Sequence, residues 1–301
     1  MIDKRLTKAL INPRFACLAF IHKLSPFIKN DKLYLQIVYW LSMGKRLNLK
    51  APKTFNEKLQ WLKLYNREPK YTIMVDKVKA KEWVANIIGK EHIIPTLGVW
   101  NNPEDIDFST LPNQFVLKCN HNSGLGMCIC LDKNNLNIEK VKAKLRKGLQ
   151  QNFYMTNREW PYKNVPRRIL AEKFMQDSSN SPLTDYKFFC FNGEPYIMYV
   201  SHDNAEHTTT DFFDMDYNHL SLRMKDPNSA NPPSCPKEFE EMKSYAKKLS
   251  KGVPHLRVDF YIINHTVYVG ELTFFHNSGL TPMYPKEWEY KLGDLINITP
   301  K

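Results

Sequence analysis

Residues 256–279 read LRVDFYIINHTVYVGELTFFHNSG. In the first arm Arg257, Asp259 and Tyr261 alternate with Val258, Phe260 and Ile262. In the second, Val267, Val269, Glu271 and Thr273 alternate with Tyr268, Gly270 and Leu272. A period of two marks a half-buried strand, so the stretch predicts a hairpin turning at Asn264-His265. Register decides its chemistry. A loop of the three residues Asn264–Thr266 sets Asp259 opposite Glu271 and Arg257 opposite Thr273. A loop one residue shorter sends the two acids to opposite faces. Facing carboxylates repel and need a neutralising partner. A divalent cation held by oxygen atoms is one answer; a surface ion-pair ladder with Arg257 is the plainer one. The rest of the sequence shifts the weight toward the cation.

The 301 residues, 43% of them hydrophobic, are enough for two or three lobes around a sizeable core. A formal net charge of +12 points to anionic partners: nucleotide phosphates, an acidic polymer, nucleic acid or a membrane face. Charge alone does not choose among these, because a lysine-rich surface also serves solubility. Cys17, Cys119, Cys128, Cys130, Cys190 and Cys235 show no CxxC pair and no zinc spacing. Four of them lie in apolar strand-like runs, which suits buried free thiols in a reducing compartment. The apolar runs Phe15–Ile21 and Leu33–Met43 fall short of the roughly 18 residues that span a bilayer. No signal-peptide pattern is evident, and the expected location is the cytoplasm. Pro13–Lys50 mixes apolar and basic residues and could form an interfacial helix at the inner membrane face, but the expectation is ordinary packing on the body, since most amphipathic helices face a core.

Residues 1–50 read as helical and basic. Thr54 and Glu57 form a capping box that opens a helix over Phe55–Tyr65. A second helix is expected from Tyr71 to Ile88, ending at Gly89, with Asp76 and Lys77 solvated on it. Ile93–Trp100 reads as a connector with a short strand. Gln114–Cys119 is a strand that runs into Asn120-His121-Asn122-Ser123-Gly124-Leu125-Gly126, and Met127–Leu131 is the next strand. Such a loop offers backbone N–H groups to an anion, with Lys118 within reach. It lacks GxxxxGK[ST] and no helix follows at once, so it is not a P-loop. A tight hairpin with an exposed lysine fits the stretch equally well. Ile138–Leu149 reads as a helix crossing back over these strands. Glu172 sits in an apolar strand within Arg168–Gln176, positioned to accept hydrogen bonds from a base or ribose or to pair with Lys173. Ser178–Thr184 reads as a loop. Asp185–Phe191, Asn192-Gly193 and Pro195–Ser201 make a second hairpin; Lys187 on it needs an anion or carboxylate to face. Residues 201–235 read as loop-rich, their histidines without zinc spacing. A helix from Pro236 to Leu249, stopping at Gly252, feeds the opening hairpin.

In chain order these are a lysine before a small-residue loop, a mid-strand glutamate, a strand lysine and a paired Asp and Glu. That inventory suits a nucleoside triphosphate with magnesium, whose oxygens Lys118, Lys187, Arg257 and the metal would offset. KCNHNSG, ILAEKFM, DYKFFCFNGEP, RVDFYIINHTVYVGELTF and HNSG with PKEWEYKLG together resemble the TupA-like, teichuronopeptide-type branch of the ATP-grasp superfamily, over about Asn48 to Ile298. The resemblance implies an α+β fold with ATP clamped between two lobes. It also implies a ligase in which ATP phosphorylates a carboxylate that an amine then attacks. Residue by residue it makes Lys118 and Lys187 the phosphate contacts. Asn122, Ser123, Gly124 and Gly126 become the phosphate loop, and Glu172 falls where the hinge touches adenosine. Asp259 and Glu271 match the Mg2+ ligands, while Arg257 would steady the transferring phosphoryl group. Where many relatives carry Asn two positions after that Glu, this chain has Thr273, so the third ligand falls to Thr273 or Asn277. The implied division is a helical basic segment (1–50), an N-terminal α/β lobe (51–113), a small lobe with the phosphate loop (114–175) and a large lobe with the metal hairpin (176–301). The implied substrates are an amine or amino acid and a uronic acid of a capsule, O-antigen or similar surface polysaccharide.

Two rivals stand beside this reading. A nucleotide-sugar glycosyltransferase would use Asp214-Met215-Asp216 as a metal-holding DxD, and a non-catalytic binder would rest on charge alone. A sugar kinase would also use ATP and differs only in its product.

Overall fold

The structure, a computed structural model, describes residues 13–178, 183–203 and 208–298. Residues 1–12 of the basic segment, 179–182 of the Ser178–Thr184 loop, and His207 lie outside them. The opening hairpin is β9 (His255–Ile263) against β10 (Thr266–Thr273). Its loop is shorter than expected. Thr266 already pairs with Ile263, leaving Asn264 and His265 alone in the turn, at φ 48° and 62°. Left-handed backbone at both positions is the type I′ turn that matches strand twist. Such a loop would have split the acids between the faces, yet Glu271 still pairs with Asp259 and Thr273 with Arg257. The register is restored by a bulge between Val269 and Glu271 that absorbs Gly270 as an extra residue. A Cβ on Gly270 would stand 2.6 Å from the Tyr261 ring, so only glycine fits the bulge as built.

From β9 a six-stranded antiparallel sheet extends in the order β10-β9-β5-β6-β7-β8. The added strands are β5 (Asp185–Phe191), β6 (Glu194–Asp203), β7 (Thr208–Asp214) and β8 (His219–Leu220). The stretch 201–235 is therefore less loop-rich than its composition implies: Phe212 and Phe213 anchor β7 in the core. Across this sheet Glu271, Asp259, Lys187, Tyr199 and Phe212 are successive partners, so all five share one face. The opposite face, with Phe188, Val258 and Phe260, is covered by helix Phe239–Ser250, whose Phe239, Met242, Ala246 and Leu249 are buried. Pro236 lies just before this helix, in the lead-in turn.

A four-stranded antiparallel sheet, β1-β4-β2-β3, stands apart with its own core. It comprises β1 (Thr96–Trp100), β2 (Phe115–Cys119), β3 (Cys128–Cys130) and β4 (Ile169–Lys173). Helix Ile138–Gln150 covers it with Val141 and Leu145. β1 precedes the boundary expected at 113/114, yet its hydrogen bonds tie it to this sheet. Helix Phe55–Tyr65 opens on the expected capping box, Thr54 with Glu57. It packs Phe55 and Leu59 into the core of the larger sheet, Phe55 lying 6.2 Å from the Phe189 ring. The helix expected over Tyr71–Ile88 is two: Pro69–Val75 and Lys79–Ile88, broken at Asp76, whose Oδ1 accepts the Val78 N–H at 3.0 Å. At the N-terminal side, helix Asp31–Met43 buries Tyr34, Leu35, Val38, Tyr39 and Leu41, whereas Pro13–Leu24 buries no residue. Among the described residues no helix is long and apolar enough to cross a membrane. The cysteines among them are all free; Cys119, Cys130 and Cys190 are buried as expected, whereas Cys128, near the edge of the smaller sheet, is only half-buried.

Gly270→Ala is expected to lower stability by about 1–3 kcal/mol, the usual cost of overpacking, as a reduced urea midpoint. An unchanged midpoint would mean that the Tyr261 ring swings aside without loss.

Candidate functional site

Between the two sheets runs a crevice, and the hairpin register supplies its floor. Arg257 lies two residues from Asp259 on the same face and grips it with both ends of its fork: Nε donates to Oδ1 and Nη2 to Oδ2, each at 2.7 Å. Nη2 also donates to Thr273 Oγ1 at 3.1 Å, and Nη1 to Nδ1 of buried His276 at 2.8 Å. Burial works against the Arg257 charge, but Asp259 outweighs it and raises the guanidinium above the ordinary arginine range. His276 is held far below its ordinary pKa by burial and by Arg257, so its imidazole is neutral and its Nδ1 is free to accept. Glu271 lies beside this pair, one oxygen 4.0 Å from Arg257 Nη2 and the other 3.0 Å from Lys77 Nζ. Burial alone would raise the Glu271 carboxyl; Lys77 and Arg257 outweigh it and hold it below the ordinary glutamate range. Lys187 pairs with Asp185 and stands 3.9 Å from Asp259 Oδ2.

The smaller sheet supplies the roof. Lys118 on β2 meets Glu172 on β4 at 2.5 Å, and Lys81 of helix Lys79–Ile88 reaches the other Glu172 oxygen at 2.7 Å. Burial pushes the Glu172 carboxyl up, but Lys118 and Lys81 more than cancel that and lower it. Glu172 thus pairs with these two lysines and leaves its neighbour Lys173 exposed. A cavity of about 230 Å³ brings together Lys77, Lys118, Lys187, Asp259 and Glu271, with Asn122, Ser123 and Gly124 at its edge. Beside it lies an apolar pocket of Met74, Val84, Ile93, Val269 and Leu272, bordered by Lys81 and Glu172. Flat apolar walls next to a cationic cavity suit a base with a phosphate tail.

The glycine-bearing loop is fixed at two points. Asn122 is buried and its Nδ2 donates inward to Gly148 O at 3.2 Å; its side chain faces away from the cavity, unlike the expected phosphate contact. Gly126 lies against Gly148, where a Cβ would come within 2.9 Å of Cys119 Sγ. Ser123 and Gly124 are exposed between these anchors. Of the two proposed third metal ligands, Thr273 gives its hydroxyl oxygen to the same Arg257 Nη2 that holds Asp259, while Asn277 lies at 3.0 Å from His276 Nε2, bordering a different recess. Among the described residues no group of three or more His, Cys, Asp or Glu side chains converges as a metal site. Asp259 and Glu271 remain, and they fit magnesium, which takes one or two carboxylates and completes its shell with phosphate oxygens and water.

Lys77 and Lys81 were not marked by the sequence. Asp76, expected in solvent, is fully buried; its carboxylate accepts from Asn120 Nδ2 at 2.7 Å and Arg168 Nη2 at 2.8 Å. The Lys77 amide donates to Asn120 O at 3.2 Å, and Lys77 Nζ to Asn122 O at 2.8 Å. These contacts turn Lys77 into the crevice. The one available signal was a charge directly after the apolar pair Met74-Val75. Its partners lie 44 and 92 residues away, beyond any local pattern.

Asp76→Ala strands buried donors and is expected to cost on the order of 3–5 kcal/mol, read from urea unfolding; a loss below about 1 kcal/mol would show the network to be dispensable. Glu172 also sets a pH dependence. Its folded value is depressed, so its contribution is full above the ordinary 4.5 and is lost as pH falls through the folded value. Glu172→Gln should therefore be less stable than the parent near neutrality, with the gap closing below that point. A gap that stays constant into acid would contradict the pairing.

A family model described as TupA-like ATPgrasp matches residues 57–297. No curated protein sequence matches the chain. Among solved structures, D-alanine–D-alanine ligase from Bacillus anthracis is 18% identical, covering 74% of this chain and 66% of that one, with a TM-score of 0.45. The same ligase complexed with ATP gives 16%, 67%, 54% and 0.41, and the Helicobacter pylori enzyme 16%, 80%, 69% and 0.44. The chain thus spans 54% to 69% of the length of these ligases. The family match runs from the capping-box glutamate past the last helix and takes in every crevice residue from Lys77 to Glu271: the chain belongs to the TupA-like ATP-grasp family and has its α+β fold.

Proposed function

We propose that the protein is an ATP-dependent carboxylate–amine ligase working through an acyl phosphate. The observation that carries this is the convergence of Lys77, Lys118, Lys187 and Arg257 on Asp259 and Glu271, beside an apolar pocket. In this reading the smaller sheet with its loop forms one lobe and the larger sheet the other. Adenine enters the pocket next to Glu172. Lys77, Lys118 and the exposed amides around Ser123 and Gly124 take the phosphates, and Lys187 and Arg257 face the transferring group. Asp259 and Glu271 would hold magnesium, which when bound neutralises phosphate charge and aligns the displacement. A carboxylate oxygen attacks the γ-phosphorus as the bond to ADP breaks. An amine nitrogen then bonds to the acyl carbon as phosphate leaves with the C–O electron pair and the amine proton passes to solvent.

For the substrates, the formal charge of +12 supports a polyanionic partner such as a uronic acid of a surface polysaccharide, joined to an amino acid or amine. The same reading puts the protein in the cytoplasm, touching the inner membrane face through Pro13–Leu24 and the turn after it. Phe15, Phe20 and Phe27, exposed there among basic residues, support that contact. Against the glycosyltransferase alternative, both Asp214 oxygens accept from its own turn, from Asp216 N, Asn218 N and Asn218 Nδ2 at 2.8–3.0 Å.

Thermal shift with Mg-ATP, Mg-ADP and Mn-UDP-sugars tests the reading. ATP at about 100 times its dissociation constant should stabilise by roughly 2.7 kcal/mol. Lys77→Met and Lys118→Met should weaken that response, and Glu271→Gln should abolish ligation. Glu271→Gln is a cleaner variant than Asp259→Asn. Asp259 is buried rather than on an open face, and its loss would leave the Arg257 charge poorly compensated. A shift with UDP-sugars alone would overturn the proposal, and a phosphorylated sugar as product would make the enzyme a kinase.

A further inference from the structure

We propose that a recess next to the carboxylate pair binds an α-amino acid as the amine substrate, with Lys225 holding its carboxylate and Asp226 its ammonium group. This rests on the ligase reading above. The recess, about 120 Å³, opens on the same sheet face as Asp259 and Lys187, further along the row. Tyr199 separates the two sites: Lys187 Nζ lies 5.8 Å from its ring, and Phe212 packs against it at 5.1 Å. Those two buried rings form the floor. Ser201 and Thr210, one row over, bring their hydroxyl oxygens to 3.3 Å of each other at its side.

The walls carry the charges. Lys225 and Asp226 stand on a segment fixed at both ends. Arg223 exchanges backbone hydrogen bonds with Tyr284 at 2.7 and 2.8 Å. Thr210 N donates to Pro227 O at 2.8 Å, and Asn228 Nδ2 to Thr210 O at 3.0 Å. The facing wall is His276-Asn277. Its backbone takes the left-handed region at Asn277 and Ser278, φ 46° and 55°. Lys63 Nζ holds it there by donating to Ser278 O at 2.8 Å, while the Ser278 hydroxyl donates to buried Glu159. A short recess with one cation, one anion and hydroxyl groups between rigid walls matches a zwitterion. A simple amine would meet repulsion from Lys225, and a simple carboxylate would meet it from Asp226. Among the described residues neither Lys225 nor Asp226 is consumed by an ion pair.

Saturation-transfer NMR on the full chain with Mg-ADP tests this. The probes are the twenty common L-amino acids and D-alanine, with ethylamine and propionate as the half-charged controls. At least one amino acid should bind saturably, with both controls at least ten-fold weaker. Lys225→Met and Asp226→Asn should each weaken it at least ten-fold, the Mg-ATP thermal shift serving as the check that each variant is folded. Binding that survives both substitutions, controls that bind as well as the amino acid, or no amino acid binding in a protein that responds to Mg-ATP, would each overturn the assignment. No response to Mg-ATP would overturn the ligase reading instead, and with it the recess as an amine site.

Discussion

Two carboxylates held opposite each other across a strand pair are unstable without cations, and much of the crevice can be read as the response to that constraint. Asp259 is buried and takes the Nε and Nη2 edge of the Arg257 fork; Glu271 is half-buried and divides its attraction between Arg257 and Lys77. Each further charge is matched in the same way, Glu172 by Lys118 and Lys81, and Asp185 by Lys187. Buried ions persist only where such matching is close to complete. In the ligase reading proposed above, a site so balanced would take a polyanion by exchanging partners, its lysines turning to phosphate as the carboxylates turn to a metal. The interior of the crevice is thus organised around charge exchange, with the apolar pocket supplying the contact that does not depend on it.

The constraint reaches into the fold through backbone geometry. The register that opposes the acids requires the Gly270 bulge, and the bulge requires a residue without a side chain beside Tyr261. Lys77 points into the crevice because the break after Val75 is tied to β2 and to the start of β4 through Asp76, Asn120 and Arg168. The cation therefore belongs mechanically to the smaller sheet, while its partner Glu271 belongs to the larger one. Behind the floor, the neutral His276 accepts from Arg257 at Nδ1 and so ties the guanidinium to the loop that carries Asn277.

How much of this was legible depended on range. Local patterns carried the capping box at Thr54 and Glu57, the Asn192-Gly193 turn and the two strand arms of the opening hairpin; that Lys118, Lys187, Asp259 and Glu271 share one cavity came from their chemistry taken together and from the family resemblance. The pairing of Asp259 with Glu271 was reached through a loop of the wrong length, because a glycine inside a strand reads equally as a weak residue or as a bulge. Asp76 and Lys77 looked solvated since nothing nearby shows that a charge is buried by partners far along the chain. β7 was obscured by its run of polar threonines and by the turn residues that follow. The inward direction of the Asn122 side chain depended on contact with Gly148 on a helix that spacing alone does not bring near.

That contact also limits what the loop can do. Asn122 and Gly126 are both anchored on Gly148, which leaves the three residues Ser123, Gly124 and Leu125 between them, with Gly124 O accepting the Met127 N–H at 3.2 Å. Four Cα steps of at most about 3.6 Å give a contour of roughly 14 Å between the anchors, so the span can rise only about 7 Å before its two arms pull taut. A flap on so short a tether can fold over a phosphate group but cannot wrap a saccharide chain. Lengthening the span between the two anchors would slacken the flap without touching a charged residue.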